Sequence, residues 1–105
     1  MSDRASKGAL KPVKGKVMLR LYVAGAAPNS AAAVAHLRAL VPAGKVDEAE
    51  VSVEVVNILV DSARAFADGI IVSPTLVRLR PLPVLRIVGD LRDHEAVRLA
   101  LGIQP

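Results

Sequence analysis

A chain of 105 residues with a formal net charge of +4 is sized for one domain, and folding at this length buries roughly 65% of the extended chain's surface. Hydrophobic residues make up 52% and aromatics only 2%, so the interior must be built from Val, Leu, Ile and Ala. The absence of cysteine excludes disulfide staples, thiol catalysis and thiolate metal sites together, and fits a reducing compartment.

The opening is basic, with Arg4, Lys7, Lys11, Lys14 and Lys16 set against Asp3. Its Ser, Gly and Lys content lacks any periodicity, so residues 1–15 read as a disordered tail ahead of a single domain at 16–105. Nucleic-acid binding would want stacking aromatics or a basic helix face. Tyr22 and Phe66 are the only aromatics, so no nucleic-acid partner is expected. No apolar run approaches the ~20 residues of a membrane helix. The polar start lacks the apolar stretch of a secretory signal, and a cytoplasmic protein without a membrane partner is the expectation.

Leu19, Leu21 and Val23 alternate with Arg20 and Tyr22, a period of two that predicts a strand, and Gly25 followed by Pro28 stops it. Asn29 or Ser30 is expected to cap a helix whose Ala33, Val34, Leu37, Leu40 and Val41 fall at helical spacing, with His36 and Arg38 turned toward the other side. Pro42 and Gly44 end it, and a polar loop runs to Glu50. Val51, Val53 and Val55 then alternate with Ser52 and Glu54, predicting a second strand at about 51–58, parallel to the first through a right-handed crossover.

Asp61 or Ser62 is expected to cap a short helix that reaches Ala67 and ends at Gly69. A helix of two turns needs tertiary support, and Phe66 on the sheet is the expected source. Thr75 to Leu79 reads as a third strand broken by Pro81 and Pro83, and Val84 to Val88 as a fourth, antiparallel to it. Gly89 and Asp90 turn the chain. Asp90 or Asp93 caps a last helix with Leu91, His94, Val97 and Leu101 near one face. The order is βαβαββα, an α/β thioredoxin-like arrangement. Yet Val97, Leu99, Leu101 and Ile103 also alternate with Arg98, Ala100 and Gly102, so a strand pattern overlies the same residues.

Several segments resemble one family. Leu21 to Gly25 with Pro28 to Ser30, then Ser73 to Leu76, Pro81 to Val84, and Arg86 to Leu91 stand in the order and spacing of the KaiB clock proteins, over roughly residues 17 to 103. The resemblance implies two folds: a βαββααβ ground state assembled as a tetramer or dimer, and a thioredoxin-like monomer that binds the KaiC ATPase. The two must lie within a few kcal/mol. Pro28, Asn29 and Ser30 with the adjoining helix are the implied docking surface. Ala32 and Ala35 stand where cyanobacterial members carry basic residues.

Pro74, Pro81, Pro83, Gly89, Asp90, Ala100 and Gly102 are the implied switch positions. Each X-Pro bond there can be cis or trans, and Pro74 is expected to be cis in the thioredoxin-like state. Isomers that differ between folds would add a slow step. Ala100-Leu101-Gly102 aligns with the family's Gly-Leu-Asp, and alanine in place of that glycine favours helix by up to ~1 kcal/mol.

Redox thioredoxins carry paired cysteines at the first-helix entrance, where this chain has Ala26-Ala27-Pro28-Asn29-Ser30. His36 and His94 have no short ligand spacing and read as solvated or packed, not as metal ligands. Ser30 and Ser73 lack a base partner, no glycine-rich phosphate loop occurs, and Glu48, Glu50 and Glu54 read as a solvated face. The expectation is a binding module with no catalytic residue, metal or cofactor. Its partner is a KaiC-like ATPase, with a histidine kinase as competitor for the same site. Two other readings are a sensor-type adaptor that times nothing and a glutathione-binding remnant acting through Ser30 or Tyr22.

Overall fold

A computed structural model describes residues 15–41, 45–46, 49–70 and 72–102. The tail, the polar loop at 42–44 and 47–48, and the Ile103 of the alternative strand pattern lie outside the described residues. The elements run β1 (Gly15–Val23), α1 (Pro28–Leu40), β2 (Lys45–Val46), β3 (Ala49–Asn57), α2 (Ser62–Ala67), β4 (Thr75–Arg80), β5 (Leu85–Val88) and α3 (His94–Leu101). One five-stranded sheet has the order β2-β3-β1-β4-β5. β1 and β3 are parallel, while β1 with β4, β4 with β5, and β2 with β3 are antiparallel. The two-residue β2 was not expected. It hangs on the edge of β3, with Lys45 opposite Glu50 and Val46 opposite Ala49.

The period-two pattern of β1 decides the layering. Val17, Leu19, Leu21 and Val23 are buried with Ala33, Leu37 and Leu40 of α1, Leu76 of β4, and Leu91, Val97 and Leu101 from the α3 side. Arg20 and Tyr22 face the other way. There Tyr22 packs with Val56, Ala65 and Val77 into a smaller cluster beneath α2. With Val97 and Leu101 buried and Leu99 exposed, the helical period prevails over the strand pattern in α3.

Three local expectations are corrected. The N-cap of α1 is Ala27 with Pro28 as first helical residue, and neither Asn29 nor Ser30 caps. Proline suits that position because its missing N–H would have no partner there. Asp61 occupies the N-cap of α2 but its side chain makes no capping bond; it lies 3.7 Å from Arg64 instead. Phe66 does not pack on the sheet. It is 87% exposed, and Ala65 is the buried residue. Successive helical residues point about 100° apart, so seating Ala65 turns Phe66 outward. Asp93, not Asp90, caps α3, accepting from the Ala96 N–H at 3.1 Å.

Polar ties replace the missing aromatic contact under α2. Arg64 grips Glu54 with both guanidinium nitrogens, at 2.7 and 2.8 Å, and Arg20 reaches Glu54 and Asp68 at 3.0 Å each. The buried Tyr22 hydroxyl donates to the same Asp68 carboxylate. Glu54 is therefore not a free solvated acid. The bond from Arg64 above all, then that from Arg20, lowers its carboxyl to about 2.

Candidate functional site

The expected site residues separate into two groups at opposite ends of the sheet. Tyr22 stands opposite Thr75 and Thr75 opposite Val88, so Gly25, Pro74 and Gly89 sit past the same ends of β1, β4 and β5. The Gly89 N–H donates to the Pro74 carbonyl at 3.0 Å. Pro28, Asn29, Ser30, Pro74, Gly89 and Asp90 form this end. The Ser73–Pro74 bond is cis and Pro74 is buried; the bonds before Pro81 and Pro83 are cis as well. Pro81, Pro83, Ala100 and Gly102 belong to the other end.

The first group surrounds the turn from β1 into α1. Ser30 is 1% exposed, and its hydroxyl accepts the Ala24 N–H at 2.9 Å, closing the turn from within. Pro28 and Asn29 stay exposed at the helix start, Ala35 is exposed one face along, and Ala32 is half-buried. No acid or base occupies the first turn of α1. The surface offers shape and backbone polarity more than charge.

Asn57, a residue the sequence did not single out, clamps this end. Its side-chain carbonyl accepts from the Gly25 N–H and the Leu59 N–H, both at 3.0 Å. This pulls the loop after β3 against the β1–α1 turn and leaves Leu59 and Val60 71% and 83% exposed. Gly25 has φ +57°, and a Cβ there would stand 3.1 Å from Leu59 Cδ1, so only glycine suits the approach. The hint in the sequence was an apolar run from Val55 to Val60 that continues past the end of pairing at Asn57.

Along α1 the surface continues into a groove of about 310 Å³ lined by Val34, Leu37, Arg38 and Val41 from the helix side and Val51, Val53 and Val55 of β3. Val53 and Val55 are partly exposed on the floor of this groove.

At the other end Arg78 is 6% exposed and donates to the carbonyls of Leu101 at 2.9 Å and Pro83 at 3.0 Å. Burial pushes its guanidinium down from its ordinary value. It ties the end of α3 to the proline turn. Gly102 closes α3 in the left-handed region at φ 77°, and Ala100 is exposed on its last turn. Asp90 is bound by Arg92 at 2.9 Å, which lowers its carboxyl.

Among the described residues no cluster of three histidines, cysteines or acids could hold a metal ion. Among the described residues no helix is long and apolar enough to cross a membrane.

Comparison with known proteins agrees with this geometry. The KaiB domain family model matches residues 20–103. The chain is similar to the circadian clock oscillator protein KaiB of Synechococcus elongatus, 37% identical over 86 residues that cover 82% of each chain. In fold it is similar to the N-terminal domain of Synechococcus elongatus SasA, with TM-score 0.65 and 23% identity, covering 85% of this chain and 84% of that one. It is similar too to mitochondrial thioredoxin 3 of Saccharomyces cerevisiae, with TM-score 0.66 and 13% identity, covering 92% and 97%. Both structures carry the thioredoxin-like fold.

Proposed function

The chain belongs to the KaiB family, and from that premise we propose that it is a clock component whose thioredoxin-like form docks on a KaiC-type ATPase and regulates its phosphorylation cycle. The observation that carries this reading is the clamped end of the sheet. Asn57 holds the two loops together, and the surface they make exposes Pro28, Asn29, Leu59 and Val60. Large apolar side chains held out on a rigid turn lose little entropy on docking. The place where thioredoxins keep their cysteines holds no thiol, so thiol–disulfide exchange has no nucleophile there.

Weak local preference beyond Leu59 supports the fold-switch half of this reading: a two-turn α2, prolines after β4, and a strand pattern written over α3. The residues beyond Leu59 are read as near-balanced between the present packing and a βαββααβ packing assembled as a tetramer or dimer, with the monomer as the docking form. A partner needs only a comparable difference in affinity to move such a population.

The test is co-sedimentation with KaiC and ATP after overnight incubation. The wild-type chain is expected to bind and Val60→Asp to lose the complex, while Arg80→Ala, exposed where β4 ends at the other end of the sheet, is expected to retain it. No complex for the wild type sinks the clock reading. The bare alanine surface at Ala32 and Ala35 favours one rival, a sensor-type adaptor bound to a histidine kinase or stress-response partner. Binding to a kinase sensor with none to KaiC would establish that rival.

A further inference from the structure

His36 on α1 and His94 at the start of α3 are far apart in sequence, yet His36 Nδ1 lies 2.9 Å from His94 Nε2. The rings are 5.0 Å apart at 75°, and both side chains are half-buried at the surface where the two helices meet. With no ion present, one nitrogen donates a proton to the other. The same separation has a second chemical meaning. Two imidazole nitrogens bound at about 2.0–2.1 Å and 90° to one another on a metal stand about 2.9 Å apart, whereas a tetrahedral angle would set them at about 3.3 Å.

We propose that His36 and His94 form a two-histidine chelate for a divalent transition ion of tetragonal preference, Cu(II) or Ni(II), that staples α1 to α3. The inward pair is His36 Nδ1 and His94 Nε2, and swinging each ring about 45° off the line between them turns both lone pairs toward a shared point. Among the described residues no third protein ligand joins them, so water completes the coordination. Imidazole suits these metals, and affinity follows the order Ni(II) below Cu(II) above Zn(II). Asp93 and Glu95 flank His94 in sequence and Arg38 stands two residues from His36, while Asp90 is already paired with Arg92. An ion that binds only this packing stabilises it by mass action.

The experiment titrates the untagged full chain with NiCl2, CuSO4 and ZnCl2, reading stoichiometry by calorimetry and thermal midpoint in parallel. One Ni(II) or Cu(II) per chain is expected, with a raised midpoint that EDTA reverses. Each of His36→Gln and His94→Gln is expected to weaken binding by more than about tenfold, both ligands being needed for the chelate. Two nitrogen couplings in the Cu(II) electron paramagnetic resonance spectrum would identify the pair directly. Absence of binding overturns the proposal, as does full stoichiometry in either variant, or tighter binding of Zn(II) than of Ni(II) and Cu(II). Circular dichroism of the two variants establishes that both remain folded, so loss of binding reports on the ligands.

Discussion

Arg78 donates a buried hydrogen bond of 2.9 Å to the carbonyl of Leu101, joining the middle of β4 to the last residue of α3. A second nitrogen of the same guanidinium holds Pro83, so one side chain fastens the helix end and the proline turn together. Among the described residues the cation has no carboxylate partner, and its desolvation offsets much of what the two bonds contribute. Arg78→Met removes two charge-assisted bonds of a kind that contributes about 1.5–3 kcal/mol each, but relieves a buried charge. A net loss of about 1–3 kcal/mol is expected in urea denaturation. Hydrogen exchange should show α3 amides opening faster while β1 amides keep their protection. Equal loss of protection in both would mean that Arg78 supports the fold as a whole.

Gly25 and Leu59 make a second pair that can be separated. Gly25→Ala places a side chain at φ +57°, costing about 1–2 kcal/mol of backbone strain, and also presses on Leu59 Cδ1. Leu59→Ala alone should cost little, because Leu59 is mostly exposed. In the double variant the steric part vanishes and the backbone part remains. Chemical denaturation of all four chains measures the coupling, and a double variant as unstable as the sum would place the whole cost in the backbone.

Much of this was legible in the sequence, and the failures share a cause. The layering of β1 followed from alternating apolar residues, and the parallel pairing with β3 from the intervening helix, because one whole face must be buried. Phe66 misled because a helix of two turns has no periodicity long enough to say which residue meets the sheet. The short β2 exists through pairing with β3, not through any preference of Lys45 and Val46. Asn57, Arg78 and the two histidines act across the fold, on partners 32, 23 and 58 residues away, which no local pattern encodes.

Acid should loosen α2 before the rest of the chain. Glu54 is held at about 2 by Arg64 and Arg20, below its ordinary 4.5, so its bonds stabilise the fold fully above about pH 4.5. As pH falls from there through about 2, the carboxylate protonates and that contribution is lost. The thermal midpoint of the wild type is expected to fall over this window, and Glu54→Gln to flatten the fall. An unchanged slope in Glu54→Gln would shift the acid sensitivity to another carboxylate.

The last turn of α3 gives the sharpest test of balance between packings. Gly102 ends the helix at φ 77°, its N–H reaching the Arg98 and Leu99 carbonyls, so Gly102→Ala should cost about 1 kcal/mol without changing any apolar contact. Ala100→Gly, on the exposed side of the same turn, costs about 0.5–1 kcal/mol through helix propensity alone. If α3 were committed to helix under all conditions, both variants would lower stability by these amounts and remain single-state monomers. A chain whose second half lies within a few kcal/mol of another packing behaves differently, because 1.4 kcal/mol shifts such a population tenfold. The expected outcome for the Ala100→Gly, Gly102→Ala pair is a second set of amide peaks and a heavier species in size-exclusion with light scattering. Both should grow further when Arg78→Met is added to the pair, since Arg78 anchors the same carbonyl end. A double variant that only melts earlier, with one peak set and monomer mass, would rule out the switch in this chain.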